Sequence, residues 1–328
     1  MVAAEIKEQG RRVMAKEKLL VLGEQDPWDW EVLQAEFDCT KITDAAQLDA
    51  LSDEACAAFR LGMLKFHYSV DGAFFDRFPN LKVFANYGVG YDSIDVDAAA
   101  ARGIAVTNTP DVLSADVADL SVLMLLSLLR RSNAAEQWLR DGKWSSVGAF
   151  PLQRKMSGGR VGIVGLGRIG RAIGDRMAAF DCPIHYYSRA PKQTPDDWTY
   201  HASPQDLAAS VDFLIVALAG GADTAGLVDR ATIEALGPNG IIVNISRGTT
   251  IDEPAMIEAL ENKSIGGAAL DVFVGEPNPD PRFLALDNVV LQPHVASATV
   301  ETRKAMGALV RANLIACRDG TPLLTQVN

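Results

Sequence analysis

Short apolar runs recur along the chain, each followed by a stretch whose apolar residues return every three or four positions. Lys18-Leu19-Leu20-Val21-Leu22 is unbroken enough for a strand covered on both faces, and Trp30, Val32, Leu33 and Phe37 then fall on helical spacing. The same alternation predicts strands over 82–86 and 104–108, with a helix over 95–102 between them. Repeated strand–helix alternation implies parallel sheet joined by crossover helices. A long apolar helix is predicted over 114–131, opened by Ser114 as its cap with acids in its first turns, and it serves as a link between two domains. A second series then begins at Arg160, with strands over 183–187, 213–217, 240–245, 267–271 and 289–291 and helices over 231–236 and 254–262 among them. The last helix, over 298–318, has no strand after it and is free to return to the first domain.

The second series opens on Arg160-Val161-Gly162-Ile163-Val164-Gly165-Leu166-Gly167-Arg168-Ile169-Gly170-Arg171. An apolar strand runs into three spaced glycines and resumes as a helix through Ile169, Ile173 and Met177. Gly165 allows the tight turn, Gly167 lets a pyrophosphate approach the backbone, and Gly170 lets the helix pack on the strand. The helix starting near Arg168 directs its unpaired amides at the phosphates. A glycine triplet alone is also an ordinary turn; the strand before it and the helix after it make it a dinucleotide site.

Composition narrows the partners. With 328 residues, 48% of them hydrophobic and 22% charged, the chain has room for two cores. A net charge of −11 argues against a nucleic-acid or anionic membrane surface. Cys39, Cys56, Cys182 and Cys317 lack metal spacing and read as buried reduced thiols, with no metal expected. Residues 1–17 lack the apolar core of a secretory signal, and the run over 120–129 is too short to span a bilayer. The expectation is a cytoplasmic protein.

In NAD-preferring sites an acid about 20 residues past the glycines holds the ribose hydroxyls. Here His185-Tyr186-Tyr187 ends in Ser188-Arg189, with Lys192 nearby and no acid. A hydroxyl and a planar cation suit a 2′-phosphate, so NADPH is expected over NADH.

Arg247, Asp271 and His294 follow three second-series strands, where open parallel sheets place their ligands, and Glu276 comes shortly after Asp271. Reducing a 2-oxo acid needs a hydride at the carbonyl carbon, a cation for the substrate's charge and a proton donor for the oxygen. Taken singly, each residue also fits a structural histidine or a surface ion pair. Together, Arg247-Gly248, Asp271-Val272-Phe273, Gly275-Glu276-Pro277 and Pro293-His294, in order after the glycine fingerprint, resemble the D-isomer-specific 2-hydroxyacid dehydrogenases. Asn86-Tyr87-Gly88-Val89-Gly90-Tyr91-Asp92 and Asn108-Thr109-Pro110 extend the resemblance over nearly everything from Lys18 onward.

The resemblance implies an α/β fold of two doubly wound parallel-sheet domains, a flavodoxin-like substrate domain and a Rossmann cofactor domain, with a cleft between them. The expected division is an extension over 1–17, a substrate-binding domain over 18–116 plus 297–328, and a dinucleotide-binding domain over 117–296. Arg247 would hold the substrate carboxylate and polarise the keto oxygen. His294 would protonate that oxygen, and Glu276 would pair with His294. The amides of Val89 and Gly90 would receive the carboxylate. Asp271 resembles the acid that contacts the nicotinamide end, and Leu166, Arg168, Ile169, Ile245, His294 and Ala296 fall with it among the implied cofactor contacts.

Ser188-Arg189 together with Val89-Gly90 looks most like the NADPH-dependent glyoxylate and hydroxypyruvate reductases, which implies glyoxylate, hydroxypyruvate and pyruvate as candidate substrates and a homodimer. Trp144 in Asp141-Gly142-Lys143-Trp144 resembles a tryptophan that enters the neighbouring subunit's site; a dimer-interface or core anchor fits it equally well. Two departures stand out. Leu218-Ala219-Gly220-Gly221-Ala222-Asp223-Thr224 replaces a Leu-Pro-Leu-Thr-like segment, and Ala296 stands where the family often has glycine. The end at Asn328 counts against the longer allosteric phosphoglycerate dehydrogenases. A larger sugar-derived 2-oxo acid or 3-phosphohydroxypyruvate remains an alternative substrate, and a cofactor-sensing interaction protein an alternative class.

Overall fold

The computed structural model describes residues 16–65 and 68–328. Positions 1–15 of the expected extension lie outside the described residues, and Lys16 and Glu17 lead directly into the first strand. The chain forms two compact units: one from the chain up to Pro110 with Arg303–Asn328, the other from Asp111–Thr302.

In the first unit, β1 (Lys18–Leu22), β2 (Asp38–Ile42), β3 (Leu61–Leu64), β4 (Val83–Asn86) and β5 (Ala105–Thr107) make a five-stranded sheet ordered β2-β1-β3-β4-β5. Every pairing is parallel, giving the flavodoxin-like order. The crossovers carry α1 (Pro27–Glu36), α2 (Ala45–Asp49), α3 (Asp53–Ala57), α4 (Gly72–Asp76) and α5 (Val96–Ala101). Asp44, Ser52, Asp71 and Asp95 each accept an amide of the following helix's first turn, satisfying a donor the helix cannot.

Strands β2 and β3 escape the hydrophobic pattern for different reasons. β2, Asp-Cys-Thr-Lys-Ile, is a half-exposed edge with no apolar run. β3 is fully buried but interrupted by Gly62, where a Cβ would lie 2.7 Å from the ring of Phe84. That ring belongs to an aromatic core in which Phe74 and Phe75 meet Phe84 edge-on with centroids 5.6 and 5.9 Å apart. Burying each such ring contributes about 2–3 kcal/mol.

The second unit begins with α6 (Ser114–Arg130), α7 (Ser132–Arg140) and α8 (Lys143–Ser146). It continues through β6 (Val161–Val164), α9 (Arg168–Ala178), β7 (Ile184–Tyr187), β8 (Thr199–His201), α10 (Pro204–Ala209), β9 (Phe213–Val216), α11 (Arg230–Leu236), β10 (Ile241–Asn244), α12 (Glu253–Glu261), β11 (Gly267–Leu270) and β12 (Val289–Leu291). Its seven strands are ordered β12-β11-β10-β9-β6-β7-β8, so the winding direction reverses between β6 and β9. A parallel sheet opens its ligand crevice at such a switch point. The final helix, α13 (Val300–Asp319), belongs to the first unit from Arg303 onward.

Two expectations are corrected. Ser114 is the first helical residue of α6 and Leu113 occupies the cap position, with no side-chain capping bond. Of the four cysteines, all free, Cys56 and Cys182 are buried while Cys39 and Cys317 are only half-buried. Among the described residues no helix is long and apolar enough to cross a membrane.

Candidate active site

The glycine turn joins β6 to α9 at the switch point. Gly165 has φ +100°, and a Cβ there would stand 2.7 Å from the Ala217 carbonyl oxygen of the strand end across the switch. A Cβ on Gly170 would stand 2.1 Å from the Gly165 oxygen, so the helix can approach the turn only without a side chain. Gly167 is the opposite case. Among the described residues nothing beyond its chain neighbours lies within 4 Å of its hypothetical Cβ, and the space above this backbone at the start of α9 fits a phosphate drawn to the helix amides. Leu166 is buried and Ile169 half-buried beside it. Arg168 is exposed and pairs with Asp111 at 2.7 Å.

At the end of the neighbouring strand β7, a short loop is built around Tyr186. The Lys192 amide donates to the Tyr186 hydroxyl (3.1 Å), which donates to the Lys192 carbonyl (3.3 Å). Ser188 is buried and donates to the Ala190 carbonyl at 2.6 Å. Arg189 is exposed and makes no hydrogen bond or ion pair among the described residues; the Lys192 side chain is exposed as well. Arg171 buttresses the loop from α9, donating to the Gln193 carbonyl at 3.3 Å and standing 4.8 Å from the Trp198 ring.

The chemical residues stand at the ends of three adjacent strands, β10, β11 and β12. After β10 and Ile245, Arg247 is held through its backbone. Its carbonyl accepts from Asn244 Nδ2 (2.9 Å) and Thr250 Oγ1 (2.7 Å), while Asn244 Oδ1 accepts the Ser246 amide and hydroxyl. The Arg247 guanidinium donates to the Ser246 carbonyl at 2.8 Å. Gly248 permits the next turn to pass, since a Cβ there would lie 2.0 Å from the Phe273 carbonyl carbon.

Asp271, after β11, is fully buried. Its two oxygens accept the amides of Val295 (2.7 Å) and Ala296 (2.9 Å), and its own carbonyl accepts the His294 amide at 2.9 Å. Burial pushes its carboxyl above the ordinary range, against the two amide donors and His294, which pull it down. This clasp holds His294 in left-handed backbone, φ +54°. The His294 ring reaches Glu276, Nδ1 to Oε2 at 2.7 Å, while Glu276 Oε1 accepts the Phe273 amide at 2.9 Å. An ionised carboxylate can only accept, so Nδ1 carries the proton and Nε2 is left for other work. Glu253, buried on α12, accepts the next amide, Val274, at 2.8 Å, and burial raises its carboxyl.

In the first unit, the loop after β4 turns its carbonyls inward. Asn86 Nδ2 donates to Gly88 O (3.0 Å) and Gly90 O (2.8 Å), and Asn108 Nδ2 donates to Val89 O (2.9 Å). The amides of Val89 and Gly90 have no acceptor among the described residues. Such a loop can receive an anion. Trp144 on α8 is 68% exposed, which removes the core-anchor reading, and Leu139, Val147 and Leu152 are exposed on the same stretch of chain. In the Leu218–Thr224 segment Thr224 Oγ1 donates to Ala219 O at 2.7 Å, closing the loop on itself. No group of three or more His, Cys, Asp or Glu among the described residues could hold a metal.

Sequence reasoning assigned no role to the residues that hold the candidate site: Asn86 and Asn108, seen only as motif members, and Asn244, Thr250 and Glu253. Two of them, Asn86 and Asn244, are polar residues closing an apolar strand, which is the signal that could have found them.

Residues 122–296 match the family model described as D-isomer specific 2-hydroxyacid dehydrogenase, NAD binding domain. The chain is 44% identical over 285 residues to a hydroxyphenylpyruvate reductase of Plectranthus scutellarioides, covering 87% of this chain and 90% of that protein. It is 48% identical over 258 residues to a glyoxylate/hydroxypyruvate reductase of Arabidopsis thaliana, covering 78% and 82%. Among solved structures, it superposes with a TM-score of 0.89 at 43% identity on an NADPH-dependent glyoxylate/hydroxypyruvate reductase of Sinorhizobium meliloti in complex with NADP and malonate, covering 95% and 97%.

Proposed function

The chain belongs to the D-isomer specific 2-hydroxyacid dehydrogenases, and from that premise we propose that it reduces small 2-oxo acids, glyoxylate and hydroxypyruvate foremost and pyruvate after them, using NADPH in preference to NADH. The observation that carries this reading is the His294–Glu276 pair at 2.7 Å on the strand edge that also carries Arg247.

NADPH, when bound, supplies the hydride to the carbonyl carbon. Arg247 binds the substrate carboxylate and polarises the keto oxygen. His294 delivers the Nε2 proton to that oxygen as the carbon is reduced, and Glu276 accepts from Nδ1 throughout, stabilising the imidazolium before transfer and fixing the ring after it. Asp271 acts by holding the backbone of 294–296. In the first unit, the amides of Val89 and Gly90 serve as carboxylate donors. For the cofactor, Gly165, Gly167 and Gly170 form the phosphate cradle, and Ser188, Arg189 and Lys192 receive the 2′-phosphate. The exposed Trp144, Leu139, Val147 and Leu152 support a homodimer in which a second copy covers this face.

A panel of 2-oxo acids assayed with both cofactors tests the reading. Oxidation of NADPH by glyoxylate and hydroxypyruvate, lost in His294→Ala, is expected; no oxidation with any short 2-oxo acid rejects it. A second reading, a bulkier 2-oxo acid, is favoured by the 44% identity to the hydroxyphenylpyruvate reductase. A clear preference for hydroxyphenylpyruvate over glyoxylate in the same panel would select it.

A further inference from the structure

Tyr87 follows β4 directly and immediately precedes the Gly88–Gly90 loop, and its hydroxyl lies between two oxygens. The Arg303 carbonyl of α13 is 2.6 Å away and Asp29 Oδ2 of α1 is 3.1 Å away. A phenol has one proton. The backbone carbonyl can only accept and sits at the shorter distance, so it takes that proton. The Asp29 contact then brings two oxygens together with no hydrogen between them unless Asp29 supplies one. Tyr186 shows the contrast: its two partners are an amide and a carbonyl, and one proton satisfies both.

The surroundings favour the same answer. Asp29 and Tyr87 are 8% and 6% exposed. The backbone of α13 covers the carboxyl so closely that a Cβ on Gly307 would lie 2.1 Å from Oδ1. A cavity of about 10 Å³ beside them, lined in part by Gln25, Met63 and Arg311, has room for at most one water, too few to solvate an ionised carboxylate. Four charged groups act on the pair: Lys65, which is bonded to Asp26 at 2.7 Å, together with Arg303 and Arg311 on α13, and Asp26 itself. Burial raises Asp29 from its ordinary value, outweighing the Tyr87 hydroxyl and the Lys65 and Arg311 cations, which pull it down.

We propose that Asp29 is a neutral carboxylic acid in the folded protein at neutral pH, donating to the Tyr87 hydroxyl, and that this chain from α1 through Tyr87 to the Arg303 carbonyl is the positioning device for the anion-receiving loop at Gly88–Gly90. The protonation stands on the local geometry alone; the role for the loop rests on the proposed function. The Tyr87 amide donates to Leu64 O at 2.8 Å and Lys65 Nζ lies 4.8 Å from the ring centre, so the hydroxyl is the tether that joins this residue to α1 and α13 and helps set where the following glycines begin. Ionisation of Asp29 would draw the phenol proton away from the Arg303 carbonyl, break that end of the chain and let the loop drift.

The full-length chain carries the test. Asp29→Asn reproduces the neutral acid with an amide donor, and thermal midpoints of parent and variant are compared from about pH 4.5 to pH 8. An acid whose folded value is raised contributes stability that is fully present below its unfolded value and lost as pH climbs to the folded value. The midpoint of Asp29→Asn should therefore gain on the parent as pH rises, with the gap still widening at neutral pH. A gap that is flat over this range, or that stops widening below neutral pH, overturns the protonation. In the kinetic arm, Tyr87→Phe should raise the KM for glyoxylate roughly three- to tenfold with kcat little changed, as expected for one lost hydrogen bond acting on binding. An unchanged KM in Tyr87→Phe overturns the positioning role. If no 2-oxo acid is turned over at all, the proposed function fails while the midpoints still decide the protonation.

Discussion

His294 and Glu276 share one hydrogen bond, Nδ1 to Oε2 at 2.7 Å, and the other Glu276 oxygen is occupied by the Phe273 amide. The carboxylate is thus fixed before it meets the ring, and the ring's remaining nitrogen is fixed with it. Glu276→Gln offers a single carbonyl oxygen where two are used, so it cannot accept from both donors. The expected result is a loss of roughly 10- to 100-fold in kcat/KM, a lower-end general-acid effect, with the thermal midpoint moved by less than about 4 °C. Parent-like turnover in this variant would remove the pair from the mechanism.

The exposed guanidinium of Arg189 gives a cofactor test. A single charge-assisted bond to a 2′-phosphate is worth about 1.5–3 kcal/mol, or roughly 10- to 100-fold. Arg189→Ala should lower kcat/KM with NADPH by that factor and leave the NADH value within about twofold. Equal losses with both cofactors would sink the assignment, and tighter use of NADH by the parent would do so at once.

Two glycines three residues apart should fail differently. Gly167 has open space where a Cβ would go, whereas Gly170 meets the Gly165 carbonyl at 2.1 Å. Gly167→Ala is expected to unfold like the parent but to bind dinucleotide at least about tenfold more weakly, by crowding the phosphate. Gly170→Ala should cost about 1–3 kcal/mol of stability, because the helix must move off the turn. Calorimetry and a dinucleotide titration on both variants separate the two outcomes.

Acid stability has a local source on the sheet edge. His185 Nδ1 and His201 Nε2 lie 3.0 Å apart on adjacent strands, and both rings are pushed below the ordinary histidine value, by burial first. Their charged neighbours are Arg160 and Asp212 around His185 and Asp206 beside His201. The unfolded chain takes up protons below about pH 6.5 that the folded pair resists, so this stability is present above that value and lost as pH falls. His201→Gln should show a smaller drop in thermal midpoint between about pH 7 and pH 5 than the parent. Superimposable pH curves would show that the pair plays no part.

Most strands that were legible in the sequence carry consecutive apolar residues, which leave no polar side for water and so demand cover above and below the sheet; β3, equally buried, was hidden by Gly62 in its middle. β2 and β8 were not legible, since an edge strand needs no such run and borrows its register from a neighbour: Tyr186 against Tyr200 for β8, Leu20 against Thr40 for β2. At the candidate site the charged residues were legible because each follows a strand. The network that orients them was not. Asn86, Asn244 and Glu253 act by accepting or donating to backbone groups, and those groups acquire positions only when the chain is folded. The cap at Ser114 was misplaced by one residue for a related reason, since a cap is defined by backbone geometry that a serine alone does not impose.

The left-handed backbone at His294 costs about 1 kcal/mol that glycine would avoid altogether and asparagine in large part. The amide clasp of Asp271 holds it there regardless. Replacing His294 by glycine would therefore relieve the backbone at the same Cα where it removes the proposed acid. Under the proposed function the requirements of folding and of chemistry are opposed at this one position, since conformational preference alone would select against a histidine there.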